Sequence, residues 1–241
     1  MNKITVRSNT YDLSKVQSLI AREDVGGVVL GDILCPKKMF DGGIATQILL
    51  AEKVLNSGKT LYYQAPLYVT GRNLDGVKDV LAMINGYGKT SYAVVQDFGT
   101  ASLVGREYKN VKLVWGVMGR VREHKYTDEF LKFLKSNGFV GMETCDRTLV
   151  ERLIGLGLKP YYDDSRIIYR SLGRTCYLKY QTGICDPVLC RSGRYCLRAT
   201  DGAIEMSVNG FILGEKLEKI PAAEYDEVCE KFDVERVVFV D

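Results

Sequence analysis

The sequence predicts an α/β protein: a (β/α)8-like TIM-type barrel with a cysteine-rich insertion between its seventh and eighth strands. Three observations predict it. Eight short apolar runs rich in Val, Ile, Tyr and Phe recur along the chain, bounded by Gly or Asp as buried strands are. Segments with helical spacing of apolar residues lie between them, and strand–helix alternation implies parallel pairing with right-handed crossovers. The length, 241 residues, suits one barrel of about 250. An open doubly wound sheet is the rival, and the count of eight strands favours the barrel.

The first strand is Ile4–Arg7. The stripe Leu13, Val16, Leu19 and Ile20 makes the first helix, and Gly27–Leu30 the second strand. Ile44, Ile48, Ala51 and Leu55 make the next helical stripe, followed by strands at Thr60–Ala65, Tyr92–Val95 and Lys112–Val117. Gly138 sits where a helix stops, ahead of the sixth strand, Phe139–Met142. Thr148-Leu149-Val150-Glu151 has the S/T-x-x-E form of a capping box before Leu153 and Ile154, and Gly157 ends that helix. Pro160–Tyr162 and Arg236–Val240 are the last two strands, with a helix at Ala222–Lys231 between them. The sequence reads as a single domain over 1–241. Residues 163–215 form a connection far longer than usual, and long insertions in compact folds are usually functional.

Composition sets limits. Hydrophobic residues at 46% and charged residues at 26% exclude a disordered tail, a collagen-like rod and a small disulfide-stapled module. A net charge of +3 makes no case for nucleic acid or membrane. No run reaches the roughly 18 apolar residues of a transmembrane helix, and the first residues lack the apolar core of a signal peptide. A cytoplasmic location with no membrane insertion is expected. The single histidine, His124, excludes multi-histidine metal sites and leaves nucleophilic catalysis one possible imidazole base. No Gly-x-Ser-x-Gly or His-Glu-x-x-His occurs, so the residues themselves give a protease little support.

Seven cysteines in a reducing compartment point to metal ligation or catalysis rather than disulfides. Cys176, Cys185, Cys190 and Cys196 cluster, whereas Cys35, Cys145 and Cys229 stand apart. In a parallel barrel the segments that follow strands share one face, where the chemistry sits. Cys35 follows the second strand, Cys145 the sixth, and the 176–196 group the seventh. Cys229 falls in a helix, away from that rim. Four thiolates suit zinc or a [4Fe–4S] cluster, and widely spaced single cysteines fit the cluster better than zinc's short-spaced pairs. For Cys145 and Cys229 the plainer reading is a small buried hydrophobe. Residues 166–198 carry seven basic side chains against Asp186, a net +6, leaving −3 for the rest of the chain. Such cations would offset the negative charge of a thiolate-bound cluster; a third reading of them is an anion site for a carboxylate, a phosphate or RNA. Near the strand ends, Gln64, Asp97, Arg120 and Glu143 are the polar groups placed to contact substrate, with helix capping or barrel-end hydrogen bonding as the alternative.

Arg170-Ser171-Leu172-Gly173-Arg174-Thr175-Cys176-Tyr177-Leu178, followed by Gly183-Ile184-Cys185 and Cys190-Arg191, resembles the cysteine region of peptidase family U-32. Gly31-Asp32-Ile33-Leu34-Cys35-Pro36-Lys37-Lys38 is similar to the early cysteine motif of the branch that provides the small iron–sulfur subunit of the oxygen-independent ubiquinone hydroxylation pair. Thr200-Asp201-Gly202 and Asn209-Gly210 resemble that branch's segment after the last cysteine. The resemblance implies a [4Fe–4S] cluster held by Cys35, Cys176, Cys190 and Cys196, with zinc as the alternative. It also implies hydroxylation without oxygen of a quinone precursor or a nucleobase, and a homologous subunit as heterodimer partner. The family's historical label implies a collagenase-like peptidase instead, and a non-catalytic cluster-binding partner is a third reading. The gaps between cysteines differ from the family pattern, Cys185 is a fifth candidate for four places, and the wider family's further upstream cysteine is absent, with Ile167 and Ile168 in that neighbourhood.

Overall fold

The computed structural model describes residues 3–8, 12–31, 44–66, 71–116, 126–168, 171–172, 195–199, 202–206, 212–213 and 216–240. The chain divides into two compact units, Met1–Asp164 with Ile220–Asp241, and Ser165–Lys219.

The first unit is the barrel. Its strands are β1 (Ile4–Ser8), β2 (Val25–Leu30), β3 (Thr60–Gln64), β4 (Ser91–Val95), β5 (Val111–Trp115), β6 (Phe139–Thr144), β7 (Lys159–Asp163) and, after the second unit, β14 (Glu235–Val240). All pair in parallel, and β1 closes the ring by pairing with both β2 and β14. The predicted (β/α)8 class is therefore what the chain adopts. Seven helices flank the described strands: α1 (Leu13–Ala21), α2 (Ile44–Asn56), α3 (Gly71–Gly86), α4 (Phe98–Glu107), α5 (Asp128–Ser136), α6 (Arg147–Gly155) and α7 (Ala222–Phe232). None of the described helices is long and apolar enough to cross a membrane.

Alternation along each strand sorts the side chains. Val6, Val28, Leu61, Tyr63, Ala93, Val95, Leu113 and Met142 face outward and are buried under the helices. Val29, Tyr62, Val94, Val114, Tyr161 and Val237 form a separate cluster inside the ring. Within it Tyr62 stacks on Tyr92 at 4.7 Å between centroids, and Tyr161 meets both edge-on. A second aromatic group lies outside the barrel, where Trp115 packs against Phe98, Phe130 and Phe139.

The helix starts follow capping chemistry. Asp12, Asp97, Thr127 and Asp146 each accept a backbone N–H from the first turn of α1, α4, α5 and α6. The expected capping box at Thr148 is corrected here: Asp146 is the N-cap of α6, and Thr148 donates its backbone N–H to that carboxylate at 2.8 Å. A carboxylate two residues upstream takes the role, and Thr148 lies inside the helix. Gly138 and Gly157 stop α5 and α6 with φ of +83° and +68°.

The second unit is built differently. Its strands are β8 (Ser165–Ile168), β9 (Ser171–Leu172), β10 (Tyr195–Ala199), β11 (Gly202–Met206), β12 (Ile212–Leu213) and β13 (Lys216–Lys219). They pair antiparallel, as a four-stranded sheet in the order β10-β11-β12-β9 and a β8–β13 ribbon.

Candidate functional site

Four polar side chains converge inside the barrel near the C-terminal ends of its strands. Arg7 is the penultimate residue of β1, Gln64 the last of β3, Glu143 the penultimate of β6 and Asp163 the last of β7. Each occupies an inward position by alternation, two residues after Thr5, Tyr62, Gly141 and Tyr161 respectively. All four are buried, none more than 4% exposed.

Arg7 organises the group. Its Nη1 donates to Gln64 Oε1 at 3.0 Å. Its Nη2 is ion-paired with Glu143 Oε1 and lies 3.3 Å from Asp163 Oδ2. The Gln64 amide is fixed in turn, with Nε2 donating to the carbonyls of Val94 (3.2 Å) and Ala65 (3.3 Å). Only Arg7 Nε, buried like the rest, has no hydrogen-bond partner. Charges removed from water persist only when paired and hydrogen-bonded, and the planar guanidinium serves three side chains at once.

Two glycines shape the mouth around the cluster. Gly31, just past β2, has φ +130°, and a Cβ there would run into the backbone carbonyl of Gln64. Gly116, just past β5, stands where a Cβ would lie 3.0 Å from Gln96 Cγ and 3.1 Å from Gln96 Nε2. Gln96, one residue past the end of β4, continues the inward series of Tyr92 and Val94, and its side chain lies across the gap that Gly116 leaves. Both amide heteroatoms of Gln96 are buried and unpartnered.

The opposite end of the barrel is also polar, but tied shut. Glu235 accepts from Thr5 Oγ1 at 2.7 Å and from Tyr62 OH at 3.1 Å, and pairs with Lys159. Burial alone would raise the Glu235 carboxyl; hydrogen bonds from Lys159 and Thr5 and the charge of Lys159 outweigh it and hold the group below its ordinary 4.5. Burial, with the charge of Glu235, drives the Tyr62 phenol upward.

The residues expected to form the site fall as follows. Gln64 and Glu143 meet through Arg7. Asp97 instead caps α4, its Oδ1 accepting the Thr100 N–H at 2.7 Å. Arg120, His124, Cys35, Cys176, Cys185 and Cys190 lie outside the described residues. Cys196 falls on β10, with its side chain outside the description. Cys145 is half-buried just past β6, and Cys229 is buried in α7, where burial pushes its thiol up to about 11. Among the described residues no three His, Cys, Asp or Glu side chains are grouped to hold a metal. Sequence reasoning missed Arg7 and Asp163. The signal was present: each stands two positions after an inward residue of its strand, so alternation puts the charge inside.

No family model and no curated protein matches the chain. Among solved structures, the U32 peptidase Mk0906 superposes over 100% of this chain and 93% of its own length, with TM-score 0.55 and 10% identity. That likeness is one of fold. A xylose isomerase domain protein from Planctomyces limnophilus superposes over 100% and 91% at TM-score 0.38 and 10% identity. An HpcH/HpaI aldolase from Desulfitobacterium hafniense DCB-2 does so over 65% and 84% at TM-score 0.34 and 9% identity. The strand order and the likeness to Mk0906 define the class: a closed (β/α)8 barrel of the architecture seen in a U32 peptidase.

Proposed function

We propose that this chain is an iron–sulfur enzyme, or the iron–sulfur subunit of one, acting on a small aromatic or nucleobase at the C-terminal mouth of its barrel. The observation that carries the location is the buried Arg7–Gln64–Glu143–Asp163 cluster at the barrel face where enzymes of this fold place their chemistry. The cysteine pattern carries the cofactor: Cys35 follows β2, and Cys176, Cys190 and Cys196 fall in the insertion that follows β7. Four thiolates in a cation-rich setting suit a [4Fe–4S] cluster, with Cys185 as a substitute ligand and zinc as the competing metal. Such a cluster supplies electron transfer. The barrel's own residues do the rest: Gln64 and Glu143 present fixed polar groups to substrate, Arg7 and Asp163 hold them in place, and Arg120 adds a cation after β5.

The reaction class that fits is oxygen-independent hydroxylation, with a homologous chain completing a heterodimer. Iron and sulfide analysis of anaerobically purified protein is the test. About four of each per chain, lost in Cys35→Ser, Cys176→Ser, Cys190→Ser and Cys196→Ser, supports the proposal. Stoichiometric zinc replaces the cluster with a zinc site. Metal-free protein that cleaves peptides overturns the reading in favour of a peptidase.

A further inference from the structure

We infer that Gln96 is a substrate-binding residue, and that its carboxamide selects a neutral planar ligand carrying an amide, lactam or imide edge. This rests on the reading that the C-terminal mouth is the site, and it names the ligand class. Three observations carry it. The Gln96 amide presents a buried donor and a buried acceptor, both without partners, whereas the Gln64 amide one layer below has both its oxygen and its nitrogen hydrogen-bonded. Leaving both unmade is costly, and a bound ligand that supplies one acceptor and one donor removes that cost at both atoms together. The side chain also occupies space that only a glycine leaves: a Cβ at Gly116 would lie 3.0 Å from its Cγ and 3.1 Å from its Nε2. Finally, Gln64 pairs in register with Val94, so Gln96 lies one inward layer nearer the opening, roughly 6–7 Å along the strand.

The ligand class follows from donor and acceptor counting. Nε2 needs an acceptor and Oε1 needs a donor, side by side. An amide, lactam or imide edge offers both and closes two hydrogen bonds at once. A carboxylate offers acceptors only and would leave Oε1 unpaired. Arg7, the buried cation among the described residues of this mouth, is already engaged by Glu143 and Asp163 and does not favour a carboxylate either.

The test uses the full-length protein, with benzamide and benzoate as probes in saturation-transfer NMR. Benzamide should bind and benzoate should not. Gln96→Leu should weaken benzamide roughly 10–100-fold and raise the melting temperature, because a buried unpartnered amide is removed. A purely structural Gln96 would lower it. If Gln96→Leu fails to fold, Gly116→Ala reaches the same amide by displacement and should also weaken benzamide. Equal binding of benzamide to the variants, equal binding of benzoate, or no binding of benzamide overturns the inference. The two proposals separate cleanly. Iron-free protein that still binds benzamide through Gln96 loses the cluster and keeps the subsite. Iron-loaded protein indifferent to Gln96→Leu does the reverse.

Discussion

Arg7 places a full positive charge inside the barrel, against two buried carboxylates and one amide. Arg7→Met would leave Glu143 and Asp163 in the interior without the guanidinium. A loss of about 3–5 kcal/mol is expected, read from urea denaturation. Arg7→Lys should recover only part of it, because an ammonium cannot reach three acceptors in one plane. Cys229 makes a second residue-scale prediction. With its thiol raised to about 11 by burial and sheltered between α7, α6 and β7, it stays protonated at neutral pH. Peptide mapping after iodoacetamide treatment should find it unmodified in the folded protein and modified in denaturant.

At the scale of elements, helix ends give the sharpest expectation. Asp146→Ala should cost about 0.5–2 kcal/mol, since it frees the Thr148 N–H at the start of α6. Thr148→Ala should cost less, because that side chain is not the cap. Thermal melts of the two variants compare them directly. The strands were legible because both of their faces are largely buried, under the helices and inside the ring, so each reads as a short apolar run rich in Val, Leu and Tyr. Their ends were less so: β3 stops at Gln64, before the expected Ala65, and β2 begins at Val25, two residues earlier than expected. The polar cluster was half legible. Gln64 and Glu143 announce themselves at strand ends, whereas Arg7 and Asp163 look like ordinary surface charges until the inward face of each strand is known. For Asp97 the sequence left substrate contact and helix capping both open; its Oδ1 on the Thr100 N–H puts it at the start of α4 as a cap.

For the molecule as a whole, the two ends of the barrel divide the labour. The Thr5–Glu235–Tyr62–Lys159 network lies at the N-terminal end, the side that serves stability in this architecture. Glu235 is held below 4.5 in the folded state, so its contribution is fully present above that value and is lost as pH falls through the lowered one. Glu235→Gln should therefore lower the melting temperature at neutral pH, and the gap to the parent should close under acid. Iron content should not change, because this network belongs to the opposite end of the barrel from the proposed chemistry.

Backbone hydrogen bonds join the segments on either side of the 165–219 unit, beside the β7–β14 pairing. Ile220 N–H donates to Asp164 O at 2.8 Å, and Asp164 N–H donates to Val237 O at 2.9 Å, while Ser165 and Lys219 begin the β8–β13 ribbon as register partners. The chain thus departs and returns at neighbouring points, which makes the intervening stretch a cassette spliced into a continuous host. Excising it and bridging Asp164 to Ile220 with a tight turn should leave a host that still melts cooperatively, and the same junction would accept a foreign cassette whose ends are spaced alike.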